Sequence, residues 1–195
     1  MPERNLWIVG RAVRTLRAGG LVAYPTEAVY GLGCDPFNEK AVMRLLAIKG
    51  RAVGKGLILI AADHAQLEPL LLPCSADTLA PVLESWPGPS TWILPAHPRV
   101  PVWLTGGSGG VAVRVTAHPL AANLCRRFGG PLVSTSANRC GRPPARTVLG
   151  ARRALGSRVD YFLSGPTGGG AGPSEIRDAR DGRLLRGAGS GGQGP

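Results

Sequence analysis

Residues 49–60 read KGRAVGKGLILI, and the elements on either side of this stretch decide the fold. Three cations fall within seven residues, glycines separate them, and an apolar run follows. Lysine is rare in this arginine-rich chain, which retains it at positions 40, 49 and 55. A retained lysine indicates that a compact point charge is needed. Cations on flexible backbone before a buried strand are typical of phosphate binding, and a solvated basic turn is the alternative.

Composition indicates a globular protein with an anionic partner. The 195 residues fit one domain, and 44% of them are hydrophobic. The net charge of +11 favours a nucleotide, a nucleic acid or an acidic surface as partner. The four cysteines form no C-x-x-C pair, so no zinc-ligand spacing is present and a reducing compartment is expected. No signal peptide or bilayer-length apolar run is found, so we expect a cytoplasmic protein.

Hydrophobic periodicity predicts helices alternating with short strands. The predicted helices cover residues 5–18, 38–49, 64–71, 75–85, 118–128 and 147–155, with Asn5, Asn38, Asp63 and Thr147 at their N-termini. The predicted strands cover residues 21–24, 57–61, 90–94, 111–115, 131–133 and 159–163. Loops are predicted over 25–35, 134–138 and 164–173, and a terminal hairpin joins 174–178 to 182–186.

Polar side chains follow or interrupt three predicted strands. Thr26 and Glu27 begin the loop after strand 21–24, where ligands gather in open α/β sheets, or else they form a capped turn with a solvated glutamate. Arg114 interrupts an apolar strand, so it must pair with an acid, face solvent or reach a ligand. Four of the five side chains at 134–138 carry hydrogen-bonding groups. These groups can contact phosphate or ribose oxygens, or they can bond to the local backbone of a turn.

Several familiar motifs are excluded. A Walker A motif needs G-x-x-x-x-G-K-[ST] between a strand and a helix. Here the glycine spacing is one residue short, Gly56 stands where the Mg²⁺-binding hydroxyl belongs, and the order is helix, loop, strand. No G-x-G-x-x-G follows a strand, and Ser134 and Ser136 lack the G-x-S-x-G elbow. With 5% aromatic residues, base stacking on a sheet face is weakly supported.

Five segments occur in one order along nearly the whole chain. They are Pro25–Gly33, Lys49–Leu57, Ala112–Val115, Ser134–Asn138 and Pro173–Asp178. Together they closely resemble the YrdC/TsaC family, the L-threonylcarbamoyladenylate synthases of tRNA modification. The resemblance implies a single α/β domain over residues 1–187, with a twisted mixed sheet flanked by helices and a positively charged concave face. It leaves residues 188–195 as a flexible tail.

The resemblance also implies an activity. The family makes L-threonylcarbamoyl-AMP from L-threonine, bicarbonate and ATP and releases pyrophosphate, with Mg²⁺ carried by ATP and no protein metal ligands. Partner proteins then transfer the threonylcarbamoyl group to adenosine 37 of tRNAs reading ANN codons, and the basic surface is a candidate tRNA contact.

The same resemblance assigns site residues. The family's K-x-R and S-x-N signature residues, which serve the nucleotide, are Lys49, Arg51, Ser136 and Asn138. The first two of these also match the catalytic positions. Further phosphate or nucleotide contacts are Lys55 and Arg186. The positions that line the threonine and adenylate pocket are Thr26, Arg114, Ser134 and Ser174.

Departures from the family pattern favour its short form. Longer relatives carry a histidine where this chain has Ile60, often a proline where it has Gly56, and an additional C-terminal domain. A non-catalytic protein that binds structured RNA through its basic last third is the alternative. A carbamoyl-adenylating module of hydrogenase maturation is disfavoured, because such modules lie in long chains beside zinc fingers and this chain has no C-x-x-C.

Overall fold

The structure is a computed structural model that describes residues 2–170, 172 and 174–187; the predicted tail 188–195 lies outside the described residues. The helices within them are α1 Pro2–Arg17, α2 Glu39–Lys49, α3 Ala76–Glu84, α4 Val102–Thr105, α5 Pro119–Phe128 and α6 Val148–Leu155. The strands are β1 Val22–Pro25, β2 Tyr30–Gly33, β3 Ile58–Ala61, β4 Thr91–Pro95, β5 Gly110–Val115, β6 Leu132–Ser136, β7 Tyr161–Phe162, β8 Ile176–Asp178 and β9 Leu184–Arg186.

All of these strands belong to one mixed sheet. Their order is β7-β1-β2-β6-β3-β5-β4-β8-β9. The pairs β1–β7, β3–β5 and β4–β8 are parallel, and the other neighbouring pairs are antiparallel. The predicted α/β class, a twisted mixed sheet flanked by helices, is confirmed. The predicted terminal hairpin is confirmed as β8 and β9.

Helices pack on both faces of the sheet. Helices α1 and α5 cover one face, where Tyr24, Ile60 and Leu132 are buried among their apolar side chains. Helices α2 and α6 cover the other face, where Leu59 and Val133 belong to the larger apolar cluster. Adjacent residues such as Leu59 and Ile60 point to opposite faces because side chains alternate along a strand.

Part of the α1/α5 face stays open. The register places Ser134, Ile58, Ala112 and Ile93 side by side on β6, β3, β5 and β4. Ile58, Ala112 and Ile93 are only half-buried, although their strands are central and the residues next to them on each strand are buried. Among the described residues, no helix covers this partly apolar part of the sheet. Arg114 lies on the same face, opposite Ile60.

Local sequence signals explain where α2 and α6 begin. The side chain of Asn38 accepts from the backbone N–H of Ala41 at 3.1 Å, and that of Thr147 accepts from Gly150 at 3.0 Å. Both residues satisfy donors that the first helical turn leaves free, as predicted. Asp63 also caps as predicted, but residues 64–70 form two short 3₁₀ turns instead of a helix. Asn5 is not a cap, because α1 begins at Pro2.

Two predicted loops are wrong in part. Residues 30–33 form β2, paired antiparallel with β1. Glycines 31 and 33 hide this strand from the sequence because glycine weakens strand propensity. Gly33 is needed there, since a Cβ atom would lie 2.1 Å from the Val133 carbonyl oxygen. Residues 134–136 complete β6 and do not begin a loop, so their hydroxyls project from a strand.

Candidate active site

The amine of Lys49 lies at the centre of the site, in the last turn of α2. Gly50 ends the helix in the left-handed conformation, with φ of 56°. The Nζ atom donates to the carbonyl oxygens of Ser136 and Asn138 at 2.8 and 2.9 Å, and it contacts the side-chain oxygens of both residues. The Ser136 hydroxyl in turn donates to Asn138 Oδ1 at 2.7 Å. Three predicted nucleotide-binding residues therefore meet at one point.

The surroundings of Lys49 favour an added anion. The four oxygens that Nζ contacts are all neutral. Burial, and then the charge of Arg51, lower the pKa of Lys49 to about 8. A buried ammonium with no carboxylate among these partners is stabilised when a phosphate arrives, because opposite charge favours its charged form.

Arg51 is held by the loop that follows it. Its Nε donates to the Gly56 carbonyl at 3.1 Å, and a terminal nitrogen donates to the Lys55 carbonyl at 2.9 Å. Gly56 adopts φ of 58°, and a Cβ there would lie 2.9 Å from the Leu104 carbonyl oxygen. The loop therefore needs glycine at this position to fold around the guanidinium. Burial lowers the pKa of Arg51. The side chain of Lys55 is exposed at the rim.

Arg114 is buried and forms an ion pair with Glu27. The residue is 7% exposed, and one terminal nitrogen lies 3.4 Å from Glu27 Oε2. The other carboxylate oxygen, Oε1, accepts from the Thr116 hydroxyl at 2.6 Å and from the Ala117 N–H at 3.0 Å. Within the described residues, Arg114 Nε and Glu27 Oε2 have no hydrogen-bond partner. Hydrogen bonds thus fix the Oε1 side of the Glu27 carboxylate, whereas its Oε2 side contacts Arg114 only through the long ion pair.

The terminal hairpin supplies Arg186. Its guanidinium donates to the Ser174 carbonyl at 2.8 and 3.2 Å. The Ser174 hydroxyl lies 3.0 Å from that of Thr91 on β4, and both residues are buried. The hairpin therefore fixes Arg186 through the backbone of a second predicted site residue.

Arg51, Arg114 and Arg186 converge from distant parts of the chain. Burial lowers the pKa of Arg186, and the positive charges of Arg114 and Arg51 lower it further. Like charges this close make the charged form of each side chain less favourable, and a multiply charged anion bound between them relieves this repulsion. The sequence placed these three residues in three separate segments, and the fold joins them.

Comparison with known proteins identifies the family of this chain. A family model for Sua5, YciO and YrdC proteins, described as telomere recombination, matches residues 14–188.

The chain belongs to the Sua5/YciO/YrdC family.

Two curated relatives within the family carry the name threonylcarbamoyl-AMP synthase. That of Nitrosococcus oceani is 59% identical over 180 residues, which are 92% of this chain and 97% of the relative. That of Halorhodospira halophila is 56% identical over 185 residues, which are 95% of this chain and 97% of the relative. The crystal structure of Pyrococcus abyssi Sua5 complexed with L-threonine is 34% identical, with a TM-score of 0.87 over 94% of this chain. This chain spans about half of that longer Sua5 chain, 54% of its length.

The remaining predicted residues of this family member have structural partners of their own. Thr26 is buried, and its hydroxyl donates to the Val29 carbonyl at 2.7 Å, so it closes a tight turn. Ser134 is buried on the same strand face as Ser136, and the hydroxyl of Tyr24 donates to the carbonyl of the adjacent Val133 at 3.2 Å. Burial raises the pKa of Tyr24 far above its usual value, and the neighbouring Ser134 side chain opposes the rise. Thr26 thus lies next to Glu27 in the turn after β1, and Ser134 lies two residues before Ser136 on β6.

The described part of the glycine-dense loop, residues 164–170, lies against the turn that carries Glu27. The backbone N–H groups of Gly168 and Gly170 donate to the carbonyls of Thr26 and Glu27 at 3.0 and 2.8 Å. A Cβ atom on either glycine would lie 3.0–3.1 Å from Glu27 O. The Tyr30 hydroxyl donates to the Gly165 carbonyl at 2.6 Å. These contacts explain why the loop is rich in glycine.

Glu27 is the site residue that sequence reasoning left undecided. The sequence offered two readings for it, a ligand contact or a solvated side chain, and the structure shows neither, because Glu27 pairs with Arg114. The usable signal was Arg114 itself, since a charge in an apolar strand needs a partner.

Across the described residues, no group of three or more His, Cys, Asp or Glu is arranged to hold a metal ion. In the same part of the chain, no helix has the length and apolarity to cross a membrane.

Proposed function

We propose that this chain synthesises L-threonylcarbamoyl-AMP from L-threonine, bicarbonate and ATP and releases pyrophosphate. The observation that carries the proposal is the meeting of Lys49 Nζ with Ser136 and Asn138, beside a group of cations in which Arg51 acts on Lys49, and Arg51 and Arg114 act on Arg186. ATP and a carbamate are anions, and such a cluster suits both. The names of the curated relatives and the threonine complex of the P. abyssi protein support the choice of substrates.

The chemistry needs positioned charges and no covalent nucleophile. The threonine amine and bicarbonate give an N-carboxy carbamate with loss of water. A carbamate oxygen then attacks the α-phosphorus of ATP, the bond between that phosphorus and the bridging oxygen breaks, and pyrophosphate leaves with the electron pair. Alignment of the two anions and stabilisation of charge on the phosphoryl oxygens account for most of the catalysis in such transfers.

One group of residues in this proposal holds the nucleotide, and a second group holds threonine. In our proposal Lys49, Arg51, Ser136 and Asn138 hold the triphosphate and the nucleotide, with Lys55 and Arg186 at the rim. The buried guanidinium of Arg114 takes the threonine carboxylate or the carbamate, a bidentate task suited to arginine. Thr26, Ser134 and Ser174 complete the threonine and adenylate pocket.

Magnesium belongs to the proposal as part of the substrate, the Mg²⁺ complex of ATP. The residues proposed to hold the triphosphate are cations and neutral oxygens, so the charge of the ion is balanced by phosphate. Transfer of the threonylcarbamoyl group to adenosine 37 of tRNAs reading ANN codons would then fall to partner proteins. A cytoplasmic location, where ATP and tRNA are available, goes with this role.

The test is product analysis by mass spectrometry after incubation with ATP, L-threonine and bicarbonate. We expect threonylcarbamoyl-AMP and pyrophosphate in equal amounts, and neither product when any one substrate is omitted. Folded, Mg²⁺-supplied protein that releases no pyrophosphate with all three present would exclude the activity.

Two variants test the nucleotide-binding group and the threonine-binding group separately. Lys49→Ala should weaken ATP binding and lower the rate by about 10²–10³, as for loss of a charge-stabilising donor. Arg114→Ala should raise the KM for threonine more than that for ATP. A non-catalytic RNA-binding protein predicts instead that RNA binding survives Lys49→Ala and that neither substrate is bound.

A further inference from the structure

His118 is a buried residue that the proposed mechanism does not use. It is 6% exposed and lies in the connection between β5 and α5. Its Nδ1 atom accepts from the Ala121 N–H at 3.5 Å, so the side chain caps α5. Its Nε2 atom lies 3.0 Å from the Pro166 carbonyl oxygen. A carbonyl oxygen only accepts and a backbone N–H only donates, so these two partners together assign the neutral tautomer with its proton on Nε2.

The Pro166 carbonyl belongs to the glycine-dense loop. Pro166 and Gly168 are exposed, whereas His118 is buried. N–H groups of this loop donate to the carbonyls of Thr26 and Glu27 at 3.0 and 2.8 Å. An exposed, glycine-rich segment loses much conformational freedom when it is ordered. A hydrogen bond from a buried ring therefore helps to select the one loop conformation that contacts this turn.

The backbone of His118 reaches Glu27 by a second route. Its N–H donates to the Thr116 hydroxyl oxygen at 3.2 Å, and that hydroxyl donates to Glu27 Oε1 at 2.6 Å. The end of β5 thus holds the side chain of Glu27, while the loop holds its backbone carbonyl. His118 contacts both of these supports. The carboxylate that they fix forms the ion pair with Arg114.

We propose that His118 is a positioning residue for threonine, because its imidazole fixes the loop that holds Thr26 and Glu27. The inference rests on the proposed function, in which Arg114 takes the threonine carboxylate or the carbamate. When the loop leaves the turn, Glu27 is free to shift, and the paired guanidinium shifts with it. A displaced guanidinium misaligns a bidentate contact, so threonine binds more weakly. The nucleotide-binding residues on α2 and β6 keep their own partners, so ATP binding is unaffected.

Two substitutions separate the hydrogen bond to the loop from the cap of α5. In His118→Asn the amide oxygen can take the place of Nδ1, so the cap is kept, but the shorter side chain does not reach Pro166. In His118→Gln the longer side chain can place its amide nitrogen where Nε2 lies, so the bond to Pro166 is kept and the cap is lost. Each variant is thus the matched control for the other.

We expect His118→Asn to raise the dissociation constant and the KM for threonine by about three- to tenfold, the effect of losing one hydrogen bond. The KM for ATP should not change, and Tm should stay near that of the wild type. His118→Gln should keep the threonine constants but lower Tm by roughly 2–4 °C through loss of the cap. Hydrogen exchange at the amides of Gly168 and Gly170, followed by NMR, should become faster in His118→Asn and not in His118→Gln.

Three results would overturn the inference. The first is a His118→Asn variant with the threonine constants of the wild type, and the second is unchanged exchange at the two glycine amides in that variant. The third is an equal rise in the threonine KM for both variants together with an equal fall in Tm, since His118 would then support only the helix. Wild-type protein that binds threonine but makes no threonylcarbamoyl-AMP would refute the proposed function alone, because titration and exchange do not depend on turnover.

Discussion

Replacing Glu27 with glutamine tests whether the pair with Arg114 is the structural centre of the site. Glutamine keeps the acceptor that Thr116 and Ala117 use, but it removes the charge opposite a guanidinium. The side chains of Arg114 and Glu27 are 9% and 16% exposed, so the remaining cation stays buried without compensation. Removal of one partner from such a pair costs about 3–5 kcal/mol.

We expect a cost near the lower limit, about 3 kcal/mol, because the ion pair is long and Oε2 lacks a hydrogen bond. For a chain of this size that lowers Tm by roughly 6–12 °C. The matched control is Glu175→Gln, whose pair with Arg177 is 3.1 Å long but more exposed, at 25% and 37%. It should cost less than about 1 kcal/mol. Calorimetry or urea unfolding measures both.

The acid dependence gives an independent check. Burial alone would raise the pKa of the Glu27 carboxyl, but the Arg114 charge and the Thr116 hydrogen bond outweigh it and lower this pKa. A carboxyl group whose folded pKa is depressed contributes stability above its unfolded pKa, and this is lost as pH falls through the folded value. The gap in free energy between wild type and Glu27→Gln should therefore be full at neutral pH and shrink in acid.

A double variant decides between charge compensation and simple packing. Glu27→Gln/Arg114→Met removes the buried cation as well, so it should recover part of the stability but lose the threonine binding proposed for Arg114. If Glu27→Gln costs no more than Glu175→Gln, the pair does not hold the site together. If the double variant is less stable than the single one by the full cost of Arg114→Met, the two residues act independently and the reasoning fails.

Three further expectations follow from the site geometry. Because the pKa of Lys49 is about 8, the affinity of the free protein for ATP, measured by calorimetric titration, should fall as pH rises above that value. Lys49→Arg stays charged, so it should remove this pH dependence. The same variant should lower the rate in a turnover assay. Gly56→Ala places a Cβ 2.9 Å from Leu104 O at positive φ, so it should cost about 1–3 kcal/mol and weaken ATP binding; a normal ATP dissociation constant would contradict the loop's role. Gly170→Ala crowds Glu27 O at 3.1 Å, so the KM for threonine should rise with that for ATP unchanged.

Local signals were enough to predict most helices and the termini of α2 and α6. Asn38 and Thr147 act within a few residues of themselves, so their capping is written in the nearby sequence. The strand β2 was not predictable in the same way. Its glycines are explained by the Val133 carbonyl and the Tyr24 ring, which belong to neighbouring strands. When a contact with a neighbouring strand requires a glycine, the adjacent sequence does not indicate that the glycine lies in a strand.

The candidate site shows the same division. The types of residue at 49, 51, 136 and 138 indicated phosphate chemistry, and resemblance joined them to one site. That Lys49 Nζ contacts the backbone carbonyls of Ser136 and Asn138 could not be inferred, because backbone oxygens carry no sequence signature. Glu27 and Arg114 lie 87 positions apart in the sequence. Their pairing depends on how the turn after β1 reaches the end of β5, a question of topology.

The partners of the cations explain how the free protein can hold them together. Lys49, Arg51 and Arg186 are each held by neutral oxygens, while Arg114 alone among these four is paired with a carboxylate. A carboxylate beside each cation would stabilise the empty site, but it would then compete with every phosphate oxygen of the ligand. Neutral carbonyls fix the position of a cation and leave its charge available, at the cost of lowered pKa values. Arg114 is the deepest of the four, and there burial without a counter-charge would cost several kcal/mol. Glu27 therefore compensates the most deeply buried of the four cations, and it does so on one edge of the guanidinium.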